Sequence, residues 1–371
     1  MSDMHKLLGL SKQDYQKMLE RKYLKSFEYQ GMRYYCLSKD FRHLERGTSI
    51  INDEVIRGFP KIRRALYLAP ALSRYFSGRV AVEEKMNGYN VRIARAGKDI
   101  FALTRGGFIC PFSTMKVQEM RFEKFFKDNP NLVLCGEIFG PENPYQPEQY
   151  PVESVGFCVF DIRRKGIGES LPVLERRKLA EKYELPQVKL FGIFSIEEAK
   201  RRIPEIIKGI GREGREGVVI KALDMKKQMK YTCSESTCAD LSFAFKFLFE
   251  YGRDFIFRRI IREGFQAVEW REDEKALEER AHRLGSALLL PMVETIDSVD
   301  KGVEVRENFR IRVKSMEEVY ALIEYLRRMR IRVVLTDVEE KGREKIASFY
   351  RVHRATNDKI KAYLEGEFCK E

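Results

Sequence analysis

The chain has 371 residues, which is enough for two or three domains with sizeable cores. Its 44% apolar and 34% charged residues exclude an intrinsically disordered chain. No run approaches the ~20 apolar residues that a membrane-spanning helix needs, so we expect no membrane span. The formal net charge of +13 favours a polyanionic partner such as nucleic acid, with a generally basic surface as the alternative.

The remaining composition favours an intracellular protein. The first residues lack the long apolar core of a signal peptide. The seven cysteines are scattered without a CxxC pair, and the four histidines are too few and too dispersed for a zinc site. We therefore expect a cytoplasmic chain with reduced thiols. The frequent use of Glu, Lys and Arg is also typical of proteins from hot environments.

Residues 1–64 are predicted to form a small α+β module. Ser11 is a plausible N-cap, and a Gly31 turn separates two strand-like runs. One helix and two strands are predicted here: 11–25, 27–30 and 33–37. The end of the module, 57–64, is basic and contains one aromatic residue, so it either contacts phosphates or serves as a solvated linker.

Residues 65–250 alternate short β-type runs with turns and a few helices. The predicted strands are 79–84, 90–95, 100–104, 132–138, 155–162 and 217–222. The predicted helices are 114–128, 173–184 and 195–208. This order favours two packed antiparallel sheets with helices outside, and thus an α+β domain. Asn87-Gly88, between the first two runs, predicts a tight hairpin-like connection.

Beyond residue 250 the pattern becomes helical. Residues 251–300 are predicted to form one or two long helices, whose apolar stripe packs on the core or meets another chain: Phe255, Ile256, Ile260, Ile261, Phe265 and Val268. Residues 301–371 are predicted to form a small α/β unit. Its expected elements are strands at 303–305, 311–313 and 331–336, a helix at 316–329, and mostly helix after that.

Lys85 stands at the end of an apolar-alternating strand, just before a turn that contains glycine. A lysine on such a rigid strand end suits a nucleophile, provided that burial or nearby cations remove its proton. A solvated surface lysine is the alternative.

Five further stretches place charged or aromatic residues on or beside predicted strands. Their members are Arg105 before Gly106 and Gly107, Glu137 inside an apolar strand, Phe160 before Asp161, Glu216 and Lys221 at the two ends of one strand, and Lys246 in an aromatic run. Taken singly, each is also compatible with a solvated strand end or a core position. Together they suit nucleotidyl transfer, because cations neutralise phosphates, carboxylates hold Mg²⁺ and ribose hydroxyls, and an aromatic ring stacks on the base.

With these motifs the sequence resembles the covalent nucleotidyltransferases, which comprise ATP-dependent DNA and RNA ligases and mRNA capping enzymes. Lys85-Met86-Asn87-Gly88 matches their Lys-x-Asp-Gly motif except at Asn87, and the later stretches follow in the family's order within 79–250. The resemblance implies an antiparallel-sheet, ATP-grasp-like ligase domain. Asn87 removes a carboxylate beside the nucleophile.

The C-terminal part is similar to the homodimeric RNA ligases of thermophilic archaea, because helices and a small α/β unit replace the OB-type barrel of DNA ligases and capping enzymes. This resemblance implies an ATP-dependent RNA ligase that joins or circularises single-stranded RNA with 5′-phosphate and 3′-hydroxyl ends. Lysyl-AMP and an adenylylated RNA 5′ end would be the intermediates. A DNA ligase, a capping-type guanylyltransferase or a nucleic-acid-binding protein with a decayed site are the alternatives.

The resemblance also implies roles for individual residues. Lys85 is the nucleophile, and Lys221 and Lys246 are catalytic cations. Contacts to ATP or AMP are expected from Glu84, Lys85, Asn87, Gly88, Asn90, Arg105, Glu137, Phe160, Glu216, Lys221 and Lys246. Mg²⁺ (or Mn²⁺) is expected on Glu137 and Glu216. Phe157 competes with Phe160 for stacking on adenine, and Lys230 is a less favoured substitute for a second lysine in the last motif.

Overall fold

The N-terminal part carries its own small sheet. The computed structural model describes residues 4–145 and 150–368. The first elements are α1 (Met4–Leu7), α2 (Lys12–Glu20), β1 (Leu24–Tyr29), β2 (Met32–Leu37), β3 (Ser49–Ile51) and β4 (Glu54–Ile56). The four strands pair in sequence order. Ser11 caps α2 by accepting a hydrogen bond from the Asp14 backbone N–H at 3.0 Å, as its residue type predicted.

Two sheets form the centre of the molecule. Their strands are β5 (Arg63–Arg64), β6 (Val80–Lys85), β7 (Tyr89–Ala96), β8 (Asp99–Thr104), β9 (Leu132–Phe139), β10 (Gly156–Arg164), β11 (Leu190–Phe194), β12 (Gly217–Ala222) and β13 (Gln228–Thr232). One sheet has the order β10-β9-β7-β8 and is antiparallel, and the other has the order β11-β6-β12-β13-β5. All of the second sheet is antiparallel except the pair of β13 with β5. The predicted α+β class with two antiparallel sheets is confirmed.

The Asn87-Gly88 hairpin is a wrong prediction. β6 pairs with β11 and β12, whereas β7 pairs with β8 and β9. Residues 86–88 therefore cross from one sheet to the other. At Gly88 an added Cβ would lie 2.3 Å from the Ile138 carbonyl oxygen, so the crossing runs against β9 and requires glycine. Sequential strands pair in only about two-thirds of cases, and here a long-range partner replaced the local one.

Helices cover the outer faces of both sheets. In the centre these are α3 (Leu68–Tyr75), α4 (Pro111–Glu119), α5 (Glu123–Asp128), α6 (Val173–Lys182), α7 (Ile196–Arg212) and α8 (Ser234–Lys246). The predicted helix over 114–128 is divided in two, because Arg121 adopts a left-handed conformation at φ 57°. α7 packs Ile203 and Ile207 on the sheet that contains β6, and α5 packs Phe125 and Phe126 on the other sheet.

The aromatic run around Lys246 lies on a helix and not on a strand, which corrects the sequence analysis. Cys238, Leu241 and Ala244 are buried at helical spacing on α8, and Lys246 is the last residue of that helix. The aromatic residues had suggested a strand. Buried residues that recur every three positions fit one face of a helix and not the alternation of a strand.

The C-terminal part contains two long helices and a three-stranded sheet. Its elements are α9 (Arg253–Trp270), α10 (Glu274–Asp300), β14 (Arg306–Val313), α11 (Met316–Arg328), β15 (Val333–Lys341), β16 (Glu344–Val352) and α12 (Arg354–Leu364). The long helices and the α/β unit are as predicted, except that 303–305 precedes β14 and is not a strand. The expectation of mostly helix after 336 is wrong, since β16 is the central strand of the order β14-β16-β15 and buries Ile346, Ala347 and Phe349. Within the described ranges, every helix is too short or too polar to cross a membrane.

One buried carboxylate connects the two central sheets. Glu83 on β6 is fully buried and binds Arg176 of α6 and Lys221 of β12, the latter at 2.7 Å. Both cations also donate hydrogen bonds to the backbone carbonyl of Phe160 on β10, in the other sheet. Burial by itself raises the pKa of Glu83, but the charges of Lys221 and Arg176 overcome it and lower the pKa to about 2. The position of β6 relative to β10 therefore depends on this ion cluster.

Replacing Glu83 by Gln is expected to destabilise the fold by about 3–5 kcal/mol, because two buried cations lose their anion. The carboxylate has an ordinary pKa of 4.5 and a folded-state pKa of about 2, so its contribution is present above pH 4.5 and is lost as the pH falls towards 2. Urea unfolding between these pH values should show a flatter pH dependence in Glu83→Gln than in the wild type. Glu197→Gln, at an exposed carboxylate paired with Lys200, is the control. An unchanged urea midpoint in Glu83→Gln would contradict this account.

Candidate active site

A cavity of about 580 Å³ lies where strands of both central sheets end. Strand residues that line it come from β6, β7, β8, β9, β10, β12 and β13: Glu84, Lys85, Tyr89, Asn90, Thr104, Glu137, Phe160, Val219, Lys221, Gln228 and Lys230. Gly88 and Arg105 line it from the connections that follow β6 and β8. The cavity has the size of an ordinary small-molecule site.

Lys85 is paired with Glu216 inside this site. In the register between β6 and β12, Lys85 lies opposite Gly217, so Glu216 comes next to the lysine. The Lys85 Nζ donates a hydrogen bond to the Glu216 Oε2 at 2.5 Å, and both side chains are mostly buried. Two residues that the sequence separates by more than a hundred positions are thus brought together by antiparallel pairing.

Glu137 and Asn90 provide oxygen atoms to the same cavity. They lie opposite each other in the register between β7 and β9. Burial raises the pKa of Glu137 to about 8, and the charge of Lys85 only partly opposes this. The Oδ1 atom of Asn90 is buried and has no hydrogen-bond partner among the described residues. A buried carboxyl group and an unpaired buried oxygen both favour a bound cation or hydroxyl group at this place.

The lysines of the site differ from the expected set. Lys230 on β13 lines the cavity, and burial, followed by repulsion from Arg64 and Lys85, lowers the pKa of Lys230 to about 8. The structure does not bring Lys246 to the cavity, because this residue is exposed at the end of α8, where its Nζ lies 5.7 Å from the centre of the Phe247 ring. Lys221 does line the cavity, but its ammonium group is held by Glu83 and the Phe160 carbonyl.

Of the two competing aromatic residues, Phe160 lies at the cavity. Its ring meets the Phe59 ring edge-on at a centroid distance of 5.3 Å. Phe157 is buried in the core against Phe122, at a centroid distance of 5.6 Å. The two residues are three positions apart on β10, so the alternation of the strand places them on opposite faces.

The other predicted contacts lie around the turn that follows β6. Glu84 lines the cavity and forms an ion pair with Arg215 at 3.0 Å. The backbone N–H of Asn87 donates a hydrogen bond to the Tyr150 hydroxyl at 2.8 Å. Arg105 is exposed at the rim.

One wall of the cavity comes from the C-terminal unit, which sequence reasoning did not foresee. Tyr325 and Leu326 of α11, with Met329 and Ile331 after it, line the cavity together with Phe59 and Ile62 from the N-terminal side. The helix itself was predicted from its periodicity. No signal within a helix's sequence indicates which distant surface its side chains will meet.

A lysine on a β-strand end, between two antiparallel sheets and beside carboxylates and a second lysine, defines the class of covalent nucleotidyltransferases. Residues 78–236 match the family model described as RNA ligase. Residues 243–367 match the one described as Ligase Pab1020 C-terminal region.

Whole-chain comparisons agree with these family models. A structure of an archaeal ATP-dependent RNA ligase is 43% identical, covers 99% of this chain and 98% of its own, and superposes with a TM-score of 0.94. A protein from Aquifex aeolicus, provisionally assigned as an ATP-dependent DNA ligase, is 33% identical with a TM-score of 0.91 and covers 97% of this chain and 100% of its own. A Methanocaldococcus jannaschii protein is 40% identical over 97% of this chain and 94% of its own length. The chain belongs to the family of archaeal ATP-dependent RNA ligases.

Proposed function

We propose that the protein seals single-stranded RNA ends, a 5′-phosphate to a 3′-hydroxyl, in three transfers that begin on Lys85. The observation that carries this proposal is the Lys85–Glu216 pair at 2.5 Å in a cavity that Phe160 and Lys230 also line. The pair supplies a nucleophile with an adjacent proton acceptor, and the other two residues suit a base and a phosphate.

In the first transfer the Lys85 amine attacks the α-phosphorus of ATP. A P–N bond forms, and the P–O bond to pyrophosphate breaks. An ammonium nitrogen has no lone pair, so a proton must leave before the attack. Glu216 already accepts a hydrogen bond from Lys85 and is therefore placed to take that proton.

In the second transfer an oxygen of the RNA 5′-phosphate attacks the same phosphorus, which forms a P–O–P anhydride and breaks the P–N bond. In the third the RNA 3′-hydroxyl attacks the RNA phosphorus, so that a phosphodiester forms and AMP leaves. Lys230 and Arg105 are placed to neutralise phosphate charge. Lys221 is bound by Glu83, and we assign it a positioning role beneath Phe160.

The residues present fit a divalent cation that enters with the nucleotide. Within the described ranges, no three or more His, Cys, Asp or Glu side chains form a cluster that could hold a metal ion. We therefore propose that the protein supplies only some of the ligands of the cation. Mg²⁺ prefers one or two carboxylates completed by substrate phosphates and water. Glu137, Glu216 and the unpaired Asn90 oxygen fit that pattern. Bound there, Mg²⁺ or Mn²⁺ would offset phosphate charge.

Wild-type protein incubated with Mg²⁺, ATP and a 5′-phosphorylated single-stranded RNA is expected to yield joined or circular RNA. Lys85→Ala should give neither RNA product nor protein labelled by α-labelled ATP, because the attacking nitrogen is gone. Denaturing gels measure both. Labelling that survives in Lys85→Ala would refute the nucleophile.

DNA is the second candidate substrate, since the Aquifex aeolicus relative carries that assignment. Wild-type protein that forms the labelled adduct, leaves RNA ends unjoined and seals nicked duplex DNA would establish this alternative.

Lys230→Ala and Lys246→Ala form a matched pair of lysine removals. Lys230→Ala is expected to slow lysyl-AMP formation by about 10²–10³-fold, the usual cost of one lost charge-stabilising group. Lys246→Ala is expected to stay within about twofold, because it is an exposed change away from the cavity. Single-turnover labelling with α-labelled ATP distinguishes the two. A greater loss of the labelling rate in Lys246→Ala than in Lys230→Ala would show that Lys246, and not Lys230, acts in the first transfer.

We also propose a homodimer that pairs through the long C-terminal helices. Leu289, Val293 and Ile296 recur at helical spacing on α10, and their exposed fractions are 55%, 52% and 36%. On α9, Phe257 and Val268 are 64% and 69% exposed. An exposed apolar row along a helix favours an interface, and a second copy would cover it.

The variant Leu289→Asp/Val293→Asp is expected to be monomeric where the wild type is dimeric, because two carboxylates cannot be buried unpaired in an interface. Light scattering after size exclusion gives the mass of each. Glu279→Gln, at another exposed position of α10, should not change the mass. A wild type that is monomeric at high concentration would refute the dimer.

A further inference from the structure

A second cavity, of about 460 Å³, opens beside the nucleotide site. Its basic and aromatic lining comes from the N-terminal module and from the segment after β8: Arg42, His43, Arg46, Phe59, Lys61 and Arg105. We call it the basic groove. Arg46, Phe59, Arg105 and Gly106 also line the nucleotide cavity, so the two spaces adjoin each other.

Three glycines lie where the backbone segments that form the basic groove touch one another. These segments are 46–47, 58 and 105–107. An added Cβ on Gly47 would lie 2.3 Å from the Arg105 carbonyl oxygen, and one on Gly58 would lie 2.3 Å from the Arg46 carbonyl oxygen. One on Gly107 would lie 2.5 Å from the Gly47 carbonyl oxygen. Backbone contacts this close exclude any side chain. The cations of the groove are therefore held together by the backbone beneath them.

A buried arginine joins the same three segments. The guanidinium group of Arg92 donates hydrogen bonds to the carbonyl oxygens of Arg57 at 2.5 Å, Gly47 at 3.0 Å and Thr104 at 2.9 Å. Burial lowers the pKa of Arg92 only to about 10, so the group stays charged at neutral pH. Such charge-assisted bonds are strong in a dry interior and make the groove a preformed feature.

Three of the four arginine and lysine side chains that line the groove have no acidic partner among the described residues, whereas the fourth, Arg42, pairs with Asp14 at 2.7 Å. Arg46, Lys61 and Arg105 are exposed and form no salt bridge within residues 4–145 and 150–368.

The acids of the groove are already engaged. Glu45 pairs with Arg57 at 2.9 Å and with Arg163 at 4.0 Å. Asp40 accepts a hydrogen bond from the Arg46 backbone N–H at 2.7 Å. The groove therefore presents positive charge to an outside anion.

We propose that the basic groove binds the backbone phosphates of the RNA strand whose 5′-phosphate receives AMP, an inference that rests on the proposed function. The end of that strand carries a phosphate of nearly two negative charges, whereas the other RNA end presents a neutral hydroxyl. Arg46 and Arg105 stand where the groove joins the nucleotide cavity, which suits the terminal phosphate. Lys61 lines the groove without lining the nucleotide cavity, and it suits an internal phosphate.

Lys61→Gln tests the groove separately from the nucleotide site, because Lys61 does not line the nucleotide cavity. Lysyl-AMP formation should be unchanged, which also shows that the variant is folded. The second measurement is the transfer of AMP from the isolated lysyl-AMP enzyme to a short 5′-phosphorylated RNA with a blocked 3′ end. In Lys61→Gln this transfer should require a higher RNA concentration to reach half of its maximal rate. A plot of the logarithm of RNA affinity against the logarithm of salt concentration should have a less steep slope, smaller in magnitude by about 0.7, which is the value for one lost phosphate contact on a single strand.

Lys124→Gln is the matched control, since Lys124 is exposed on α5 and lines neither cavity. It removes the same charge and should leave transfer and salt slope as in the wild type. Equal behaviour of Lys61→Gln and Lys124→Gln would overturn the inference and leave the ligase intact. A Lys61→Gln effect confined to the 3′-hydroxyl strand, measured with pre-adenylylated RNA, would overturn it as well. Wild-type enzyme that transfers AMP to no RNA would instead refute the proposed function, and the inference with it.

Discussion

The structure depends above all on the buried carboxylate of Glu83. It lies two residues before Lys85 on β6, on the same face of the strand, and binds Arg176 and Lys221. Those cations in turn bind the Phe160 carbonyl on the opposite sheet. A carboxylate without such partners would not remain charged in the interior. The same ion cluster that joins the sheets thus sets the spacing between the strand that carries Lys85 and the ring of Phe160.

In this molecule the buried charged side chains bind chain segments to one another, whereas the exposed ones are available to a ligand. Arg92 and Glu83 are fully buried, and each binds several chain segments into one arrangement. Lys61 and Arg105 are exposed and form no salt bridge with any described residue, so they are open to an anionic ligand. Between these extremes lies Glu137, whose pKa of about 8 reflects a carboxyl group with insufficient compensation. Such intermediate burial is typical of groups that exchange protons or cations during a reaction.

The C-terminal unit is fastened over the site by ion pairs and not only by apolar contact. Arg312 on β14 binds Glu142 at 2.8 Å and Glu153 at 2.8 Å, both in the connection between β9 and β10. Through this attachment, α11 supplies one wall of the nucleotide cavity, including Tyr325. The unit therefore shapes the cavity although its sequence carries none of the nucleotidyltransferase motifs.

The sequence by itself determined most element types and the order of the motifs, because hydrophobic periodicity and residue spacing are local properties that survive without a fold. The resemblance of the motifs to the covalent nucleotidyltransferases then gave the family, the candidate residues Lys85, Glu137 and Glu216, and the preference for Phe160 over Phe157. Only the tertiary structure decided that β6 and β7 belong to different sheets, that β16 is a strand, and that Lys230 replaces Lys246 at the cavity. Strand partners and the surface that a side chain meets follow from the packing of distant segments. The three glycines and Arg92 that assemble the basic groove are far apart in the chain, and their contacts exist only after it has folded.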